Sequence, residues 1–360
     1  MLLALLIIGG IIVFSAIALI AYLNLNPQFG GKVRPEDLAR FAKSKQWTGK
    51  QFENRIPADM SMSLPKGIKL LSDSFKRRDI RQPKEKLPVL PFDKAAFLEG
   101  DAPRFIWFGH SVIFLRMKGK NILIDPMMGD NATSIAPFAT KRFSDKTLQI
   151  IDQPHEISVL CMSHDHYDHL DYKSIQKLKH KTKHFYVALG VSRHLEKWGI
   201  PAAKITEMDW SDKVQIEDIK LVFTESRHFS GRGLTDRYKS LWGGWIVQSD
   251  DANVYWSGDG GYGPHFKEIG EKYGPFDIGF MECGQYNPNW EDIHMYPEES
   301  VKAAGESKVK LAMAVHNTGF ALAMHAWEEP HQRFKQVGID QGMAVLRPEI
   351  GAIVEIGFGA

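Results

Sequence analysis

The chain has 360 residues, 44% hydrophobic and 24% charged, the balance of an ordinary globular protein, which excludes a disordered, collagen-like or coiled-coil chain. Against 45 Lys and Arg stand 43 Asp and Glu, and a formal charge of +2 supplies no field that would make nucleic acid the main ligand. The two cysteines, Cys161 and Cys283, lie far apart in apolar runs, so neither a disulfide framework nor a Cys-rich zinc site is available, and any metal must be held by His and carboxylates.

No charged side chain precedes Lys32, and Leu2 to Leu23 is apolar apart from Gly9, Gly10 and Ser15. At about 1.5 Å per residue this run matches one bilayer core. A cleaved signal peptide has a basic start and a small-x-small site at its polar end. Here the Ala16-Ile-Ala18 match sits inside the run, and the exit reads Asn24-Leu-Asn-Pro27. Residues 1–24 are therefore expected to be a retained single-pass anchor in the membrane. Lys32, Arg34, Arg40, Lys43 and Lys45, all after the span, favour a cytoplasmic body.

Residues 25–100 read as a polar connecting arm, with a helix opening at Pro35. Within it, Lys66 to Lys86 carries eight basic residues against Asp73, Asp79 and Glu85, interleaved with Ile68, Leu70, Leu71 and Phe75. Two readings stay open: a segment lying on anionic lipid headgroups, or a solvated face packed on the domain by its apolar residues.

Residues 101–360 read as one domain of mixed strands and helices. β-type runs occur at 105–108, 112–115, 121–124, 157–160, 220–223, 253–256 and 277–280. Helical patterns occur at 172–180, 193–197, 266–272, 297–307 and 327–337, with no internal repeat at a period of about 20 to 50 residues.

The densest chemistry lies in Cys161-Met-Ser-His-Asp-His-Tyr-Asp-His-Leu-Asp171, between an apolar strand and a helix. His164 and His166 are placed to project together from a tight loop, while Asp168 and His169 face a second position nearby. Such nitrogen and carboxylate density suits two borderline metals, zinc first. Four side chains do not complete two ions, so further ligands are expected at strand ends. His228 follows Leu221-Val-Phe-Thr-Glu-Ser-Arg, Asp259 follows Tyr255-Trp-Ser-Gly, and His316 follows Leu311-Ala-Met-Ala-Val.

These motifs resemble the metallo-β-lactamase superfamily over roughly Arg104 to Val337. Within it the chain is most similar to the N-acylphosphatidylethanolamine-hydrolysing phospholipase D branch, through Trp107-Phe-Gly-His-Ser111, Leu123-Ile-Asp-Pro126, Arg227-His-Phe-Ser-Gly-Arg-Gly233, and Tyr286-Asn-Pro followed by Asp292-Ile-His-Met-Tyr-Pro-Glu-Glu299. The resemblance implies a four-layer αββα sandwich. It also implies two zinc ions, one on His164, His166 and His228, the other on Asp168, His169 and His316, with Asp259 bridging. The chain departs from the family in reading His316-Asn-Thr-Gly after its last metal His, and in the polar segment Met281-Glu-Cys-Gly-Gln285.

The expected activity is phospholipid phosphodiester hydrolysis, N-acylphosphatidylethanolamine giving phosphatidic acid and an N-acylethanolamine. Asp168 both holds a metal and orients the attacking water. A lactonase or other ester or amide hydrolase is the alternative, and a non-catalytic membrane-tethered binding protein a third. His294 is a candidate for phosphate contact or leaving-group protonation and His110 for orienting a ligand, each standing against a purely structural role. His155, His180, His184, His194, His265, His325 and His331 read as surface or structural. Trp242, Trp245, Tyr262, Tyr286, Trp290 and Trp327 either line an acyl groove or fill the core.

Overall fold

The computed structural model describes residues 2–60, 63–133, 139–153, 156–233 and 235–357; His155 and the side chain of Phe75 lie outside the described residues. The apolar amino-terminal run forms one helix, Leu2–Leu25. Among the described residues it is the one helix long and apolar enough to cross a membrane, and its Leu5–Leu25 stretch is not buried against the domain.

The first strands are β1 (Arg104–Trp107), β2 (Ile113–Met117), β3 (Lys120–Ile124), β4 (Ile157–Met162), β5 (Thr182–Ala188) and β6 (Ile205–Met208). They are followed by β7 (Lys213–Ile216), β8 (Ile219–Thr224), β9 (Gly244–Gln248), β10 (Asn253–Trp256), β11 (Phe276–Glu282), β12 (Val309–Val315), β13 (Ala344–Val345) and β14 (Ile353–Glu355). Two mixed seven-stranded sheets result, ordered β14-β1-β2-β3-β4-β5-β6 and β13-β12-β11-β10-β9-β8-β7. Helices flank them in the αββα arrangement.

Side-chain alternation explains the layering. In the second sheet Leu221, Phe223, Trp245, Val247, Val254 and Trp256 join the large core shared with the first sheet. Their neighbours Val222, Ile246 and Tyr255 face the opposite way, into a second core with Phe266, Val301 and Phe334 of the outer helices. Phe105 of β1 meets Phe280 of β11 edge to face at 4.9 Å, which closes the sandwich.

Strand direction gathers one set of ends. β3 and β4 run parallel, as do β10, β11 and β12. β8 and β10 are both antiparallel to β9 and so point the same way. The carboxyl ends of β3, β4, β8, β10, β11 and β12 therefore serve as fixed mounts for the loops attached to them.

Residues after the amino-terminal helix lie on this frame. Phe41 and Phe52 are fully buried in the large core. Pro27–Gly31 is gripped by five side chains: Trp198 Nε1 donates to Pro27 O (2.8 Å), Arg232 Nε to Gln28 O (2.8 Å), Lys197 Nζ to Gly30 O (2.8 Å) and Arg193 Nε to Gly31 O (3.2 Å), while Gly31 N donates to His194 Nδ1 (3.1 Å). The approach is too close for a side chain, since a Cβ on Gly31 would stand 2.1 Å from the Arg193 carbonyl oxygen. Gly31→Ala should therefore destabilise the fold by about 1–3 kcal/mol, seen as a lower thermal midpoint, whereas Gly49→Ala, with no atom near its Cβ but a positive φ, should cost only its backbone strain.

Candidate metal centre

All seven residues read as metal ligands from the sequence meet at the gathered strand ends, within one cleft or directly beneath it. His164, His166, Asp168 and His169 lie on the loop after β4, His228 after β8, Asp259 after β10 and His316 immediately after β12. Sets of their ligand atoms fall within 4.8 Å of one another, among them His164 with His166 and His228, and Asp168 with His169, His316 and His110.

The first set is compact. His166 Nδ1 lies 3.0 Å from His164 Nε2 and 3.2 Å from His228 Nε2. The hydrogen bonds behind the rings fix which nitrogens carry protons. His228 Nδ1 faces the Ile293 carbonyl at 3.1 Å and must donate to it, so Nε2 presents a lone pair. Ser163 Oγ donates to Asp125 Oδ2 (2.6 Å) and so accepts from His164 Nδ1 (2.8 Å), which again turns a lone pair at Nε2 toward the centre. His164 and His228 thus both turn a lone pair toward His166 Nδ1, and a cation placed between the three rings would satisfy them together. Two nitrogens bound tetrahedrally to one ion at about 2.1 Å stand about 3.4 Å apart, close to the spacing seen here.

The second set is built on carboxylates. Asp259 Oδ2 lies 2.9 Å from His316 Nε2, 3.0 Å from His169 Nε2 and 3.9 Å from His228 Nε2, so one oxygen touches both sets. Its partner Oδ1 is buried without a hydrogen bond. Asp168 Oδ2 lies 2.9 Å from His110 Nε2 and 3.1 Å from His316 Nε2. An orphaned buried carboxylate oxygen beside convergent imidazoles fits bound divalent metal better than a self-contained hydrogen-bond network.

Charge tells the same story. Burial, reinforced by the neighbouring imidazoles, holds His164 and His228 well below the usual histidine range, and burial holds His166 at about 4. Burial also acts to lower His169, but the carboxylates of Asp259 and Asp168 outweigh it and lift the ring to about 10. One half of the site thus offers neutral nitrogen donors and the other a surplus of negative charge. His110 is held at about 3 by burial and the charge of His316, and remains a neutral donor to Asp168.

Three carboxylates that carry this arrangement were not assigned a role from the sequence. Asp125, directly after β3, accepts from His169 Nδ1 at 3.0 Å as well as from Ser163, and so orients two imidazoles at once. Glu282, at the end of β11, lies 3.2 Å from His316 Nδ1 and 3.1 Å from His294 Nδ1 and accepts from Met295 N at 2.8 Å. It accounts for the polarity of Met281-Glu-Cys-Gly-Gln285. Asp165, between two metal-site histidines, accepts from Ser240 and Gly231 and meets His194 Nε2 at 3.2 Å. The signal was present for two of them, since Asp125 and Glu282 are charged residues at the ends of apolar strands, the same pattern that singled out His228, Asp259 and His316.

Three site residues, His110, Asp125 and His316, have positive φ (55°, 43° and 62°), backbone strain of the kind that a surrounding network must hold in place. Asn54 grips His228 from the arm: Nδ2 donates to His228 O (2.8 Å) while Oδ1 accepts from His228 N (3.1 Å) and Trp242 Nε1 (2.9 Å). His194, read as structural, joins Gly31 N to Asp165.

The site opens into a cleft of about 320 Å³ whose floor includes His166, Asp168, His228, Asp259, His294 and His316, and whose wall includes Met60, Phe229, Trp290, Ile293 and Leu322. Of the six aromatics read as groove or core, only Trp290 lines it. Trp242, Trp245 and Tyr286 are buried, and Trp245 belongs to β9 rather than to a loop.

Residues 120–317 match the Beta-lactamase superfamily domain. The chain belongs to this superfamily. It is 35% identical over 272 residues to an uncharacterized protein of Mycobacterium tuberculosis, a match covering 74% of this chain and 73% of that protein. It is 28% identical over 244 residues, 64% of this chain and 68% of the other, to N-acyl-phosphatidylethanolamine-hydrolyzing phospholipase D 1 of Caenorhabditis elegans, and falls in the phospholipase D-like branch of the superfamily. Among solved structures, the metallo hydrolase Igni18 of Ignicoccus hospitalis superposes with a TM-score of 0.56 at 19% identity, covering 72% of this chain and 100% of that one. This β-lactamase superfamily chain is thus a metal-dependent hydrolase by fold and relatives, with its His/Asp cluster as the candidate centre.

Asp125→Asn keeps the shape but removes the charge that orients His164 and His169. It should weaken divalent-metal retention by about 10- to 100-fold in chelator competition, with the secondary structure unchanged by circular dichroism.

Proposed function

We propose that this chain is a membrane-anchored phosphodiesterase of phospholipase D type that uses two zinc ions to split N-acylphosphatidylethanolamine into phosphatidic acid and an N-acylethanolamine. The observation that carries this reading is the cleft, in which a floor of His and Asp joins an apolar wall. That combination suits a phosphoryl anion attached to acyl chains. The name of the Caenorhabditis elegans relative supports the same substrate class. The exposed helix Leu2–Leu25, followed by basic residues, supports an anchor with the domain on the cytoplasmic side.

His164, His166 and His228 would hold one ion and Asp168, His169 and His316 the other, with Asp259 between the two sets. Bound there, the ions supply Lewis acidity toward the phosphoryl oxygens and lower the pKa of a water toward neutrality.

The remaining work belongs to side chains. Asp168 is fixed by His110 and accepts a hydrogen bond from the attacking water, aligning it with phosphorus. Arg237, the one permanent cation among the described residues lining the cleft, pairs with the phosphate anion. His294, as the imidazolium, donates Nδ1–H to Glu282 and hands the second proton, on Nε2, to the departing alkoxide oxygen. Phe229, Trp290, Ile293 and Leu322 take the acyl chains and keep bulk water from the reacting ester.

Two measurements test this reading. Hydrolysis in oxygen-18 water should place the label in phosphatidic acid, because phosphorus acquires the new oxygen; label in a released fatty acid alone would replace the phosphodiesterase with a carbonyl hydrolase. His294→Ala should slow turnover by about 10²- to 10⁴-fold while zinc content stays at the wild-type level; an unchanged rate would remove that residue from the mechanism.

A further inference from the structure

The arm of this chain carries a helix that exposes a row of apolar side chains among its described residues. In Leu64–Lys76, Leu64, Ile68 and Leu71 fall at i, i+4 and i+7 on one face and are 79%, 62% and 60% exposed. Lys66, Lys69 and Lys76 on the same helix, with Arg77 and Arg78 just after it, are also exposed. Exposed leucine and isoleucine beside clustered lysine and arginine is the composition of a helix that lies in the headgroup layer of an anionic membrane.

The segment directly after the helix, from Arg77 to Arg81, is fixed to the rim of the cleft. Arg77 Nη1 donates to Met324 O (3.1 Å), Arg81 donates to the carbonyls of Ala321 and Ala323, and Trp327 N donates to Ile80 O (3.0 Å). Leu322, inside this gripped loop, and Met60, four residues before the helix, both line the cleft. Four residues reach at most roughly 14 Å, so the bare apolar face begins beside the cleft mouth.

A second point of the rim is tied to the amino-terminal helix. Tyr22 packs edge to face on Phe29 at 5.6 Å, and Phe29 packs in the same way on Tyr167 at 6.5 Å. Tyr167 lies between His166 and Asp168, which line the cleft. With Pro27–Gly31 gripped by the domain, the amino-terminal helix leaves from a fixed place near the site rather than from a free tether.

We propose that the helix Leu64–Lys76 is an interfacial docking element that lies on an anionic phospholipid bilayer and, together with the amino-terminal helix, turns the cleft mouth toward the lipid. The proposal rests on the anchored phospholipase reading and adds the surface by which the substrate arrives. A phospholipid then enters the cleft along the apolar side of Met60 and Leu322 without crossing water.

Full-length protein in vesicles tests this. Cys161 and Cys283 are fully buried, so an environment-sensitive maleimide dye reports from Ile68→Cys, with Ile339→Cys, at an exposed position (58%) on the outer helix Glu329–Asp340, as reference. In phosphatidylcholine vesicles containing phosphatidylglycerol, the dye at 68 should be quenched by nitroxide-labelled lipid and shielded from iodide, with the reverse at 339. A dye at 68 as open to iodide as at 339 would overturn the proposal, and so would shielding from both quenchers, which would mark a second copy or another protein on this face. Ile68→Asp with Leu71→Asp should lower hydrolysis of vesicle-borne substrate by about tenfold or more, as loss of apolar burial demands, and leave turnover of a water-soluble short-chain analogue unchanged; equal loss on both would overturn it. The dye reads lipid contact whatever the substrate, so a failure of the phospholipase reading stays distinguishable from a failure of docking.

Discussion

Negative charge buried at one end of the β-sandwich is the constraint on which the rest of the site depends. Asp125, Asp165, Asp168, Asp259 and Glu282 lie within a few residues of strand ends and meet beneath one cleft, four of them nearly inaccessible to water. Carboxylates at that density survive burial only with hydrogen bonds and positive charge to balance them. The imidazoles supply the hydrogen bonds. Their outward nitrogens, left as lone pairs or drawn to Asp259, define the positions where divalent metal completes the balance.

Each imidazole is oriented from behind by a different part of the fold. Asp125 sets His169 directly and His164 through Ser163, Glu282 sets His316 and His294, and the Ile293 carbonyl sets His228. These supports come from β3, β11 and the loop before Pro297–Glu306, so ligand geometry depends on the two sheets keeping their register. The interlocking aromatic and aliphatic core between the sheets is what holds that register.

The arm belongs to the same mechanical unit. His194 receives Gly31 N on one nitrogen and meets Asp165 with the other, and Arg232 donates both to Gln28 O and to the carbonyls of Asp165 and Leu170. The segment that leaves the amino-terminal helix is thus bonded to the side chains that brace the loop bearing His164 to His169. Burial keeps His194 near 3, so this bridge stays neutral and its polarity does not change through the physiological range.

The metal-binding pattern was legible in the sequence because most of its information is local. His164-Asp-His-Tyr-Asp-His169 is one loop after one apolar strand, and the uncharged run to Lys32 needs no partner to be recognised as a span-length helix. His228, Asp259 and His316 could be placed by the same strand-end rule. The strands without a clear sequence signal, β5, β6, β7, β9, β13 and β14, are short or lie in aromatic and polar contexts where period-2 alternation is faint. The partners of each ligand were beyond the sequence altogether: Asp125 meets a histidine 44 residues away and Asn54 one 174 residues away. Residue type and spacing determine which side chains are able to bind metal. Only the closure of the two sheets decided which carboxylate orients which imidazole, because those hydrogen bonds join chain segments that have no relation until the core is packed.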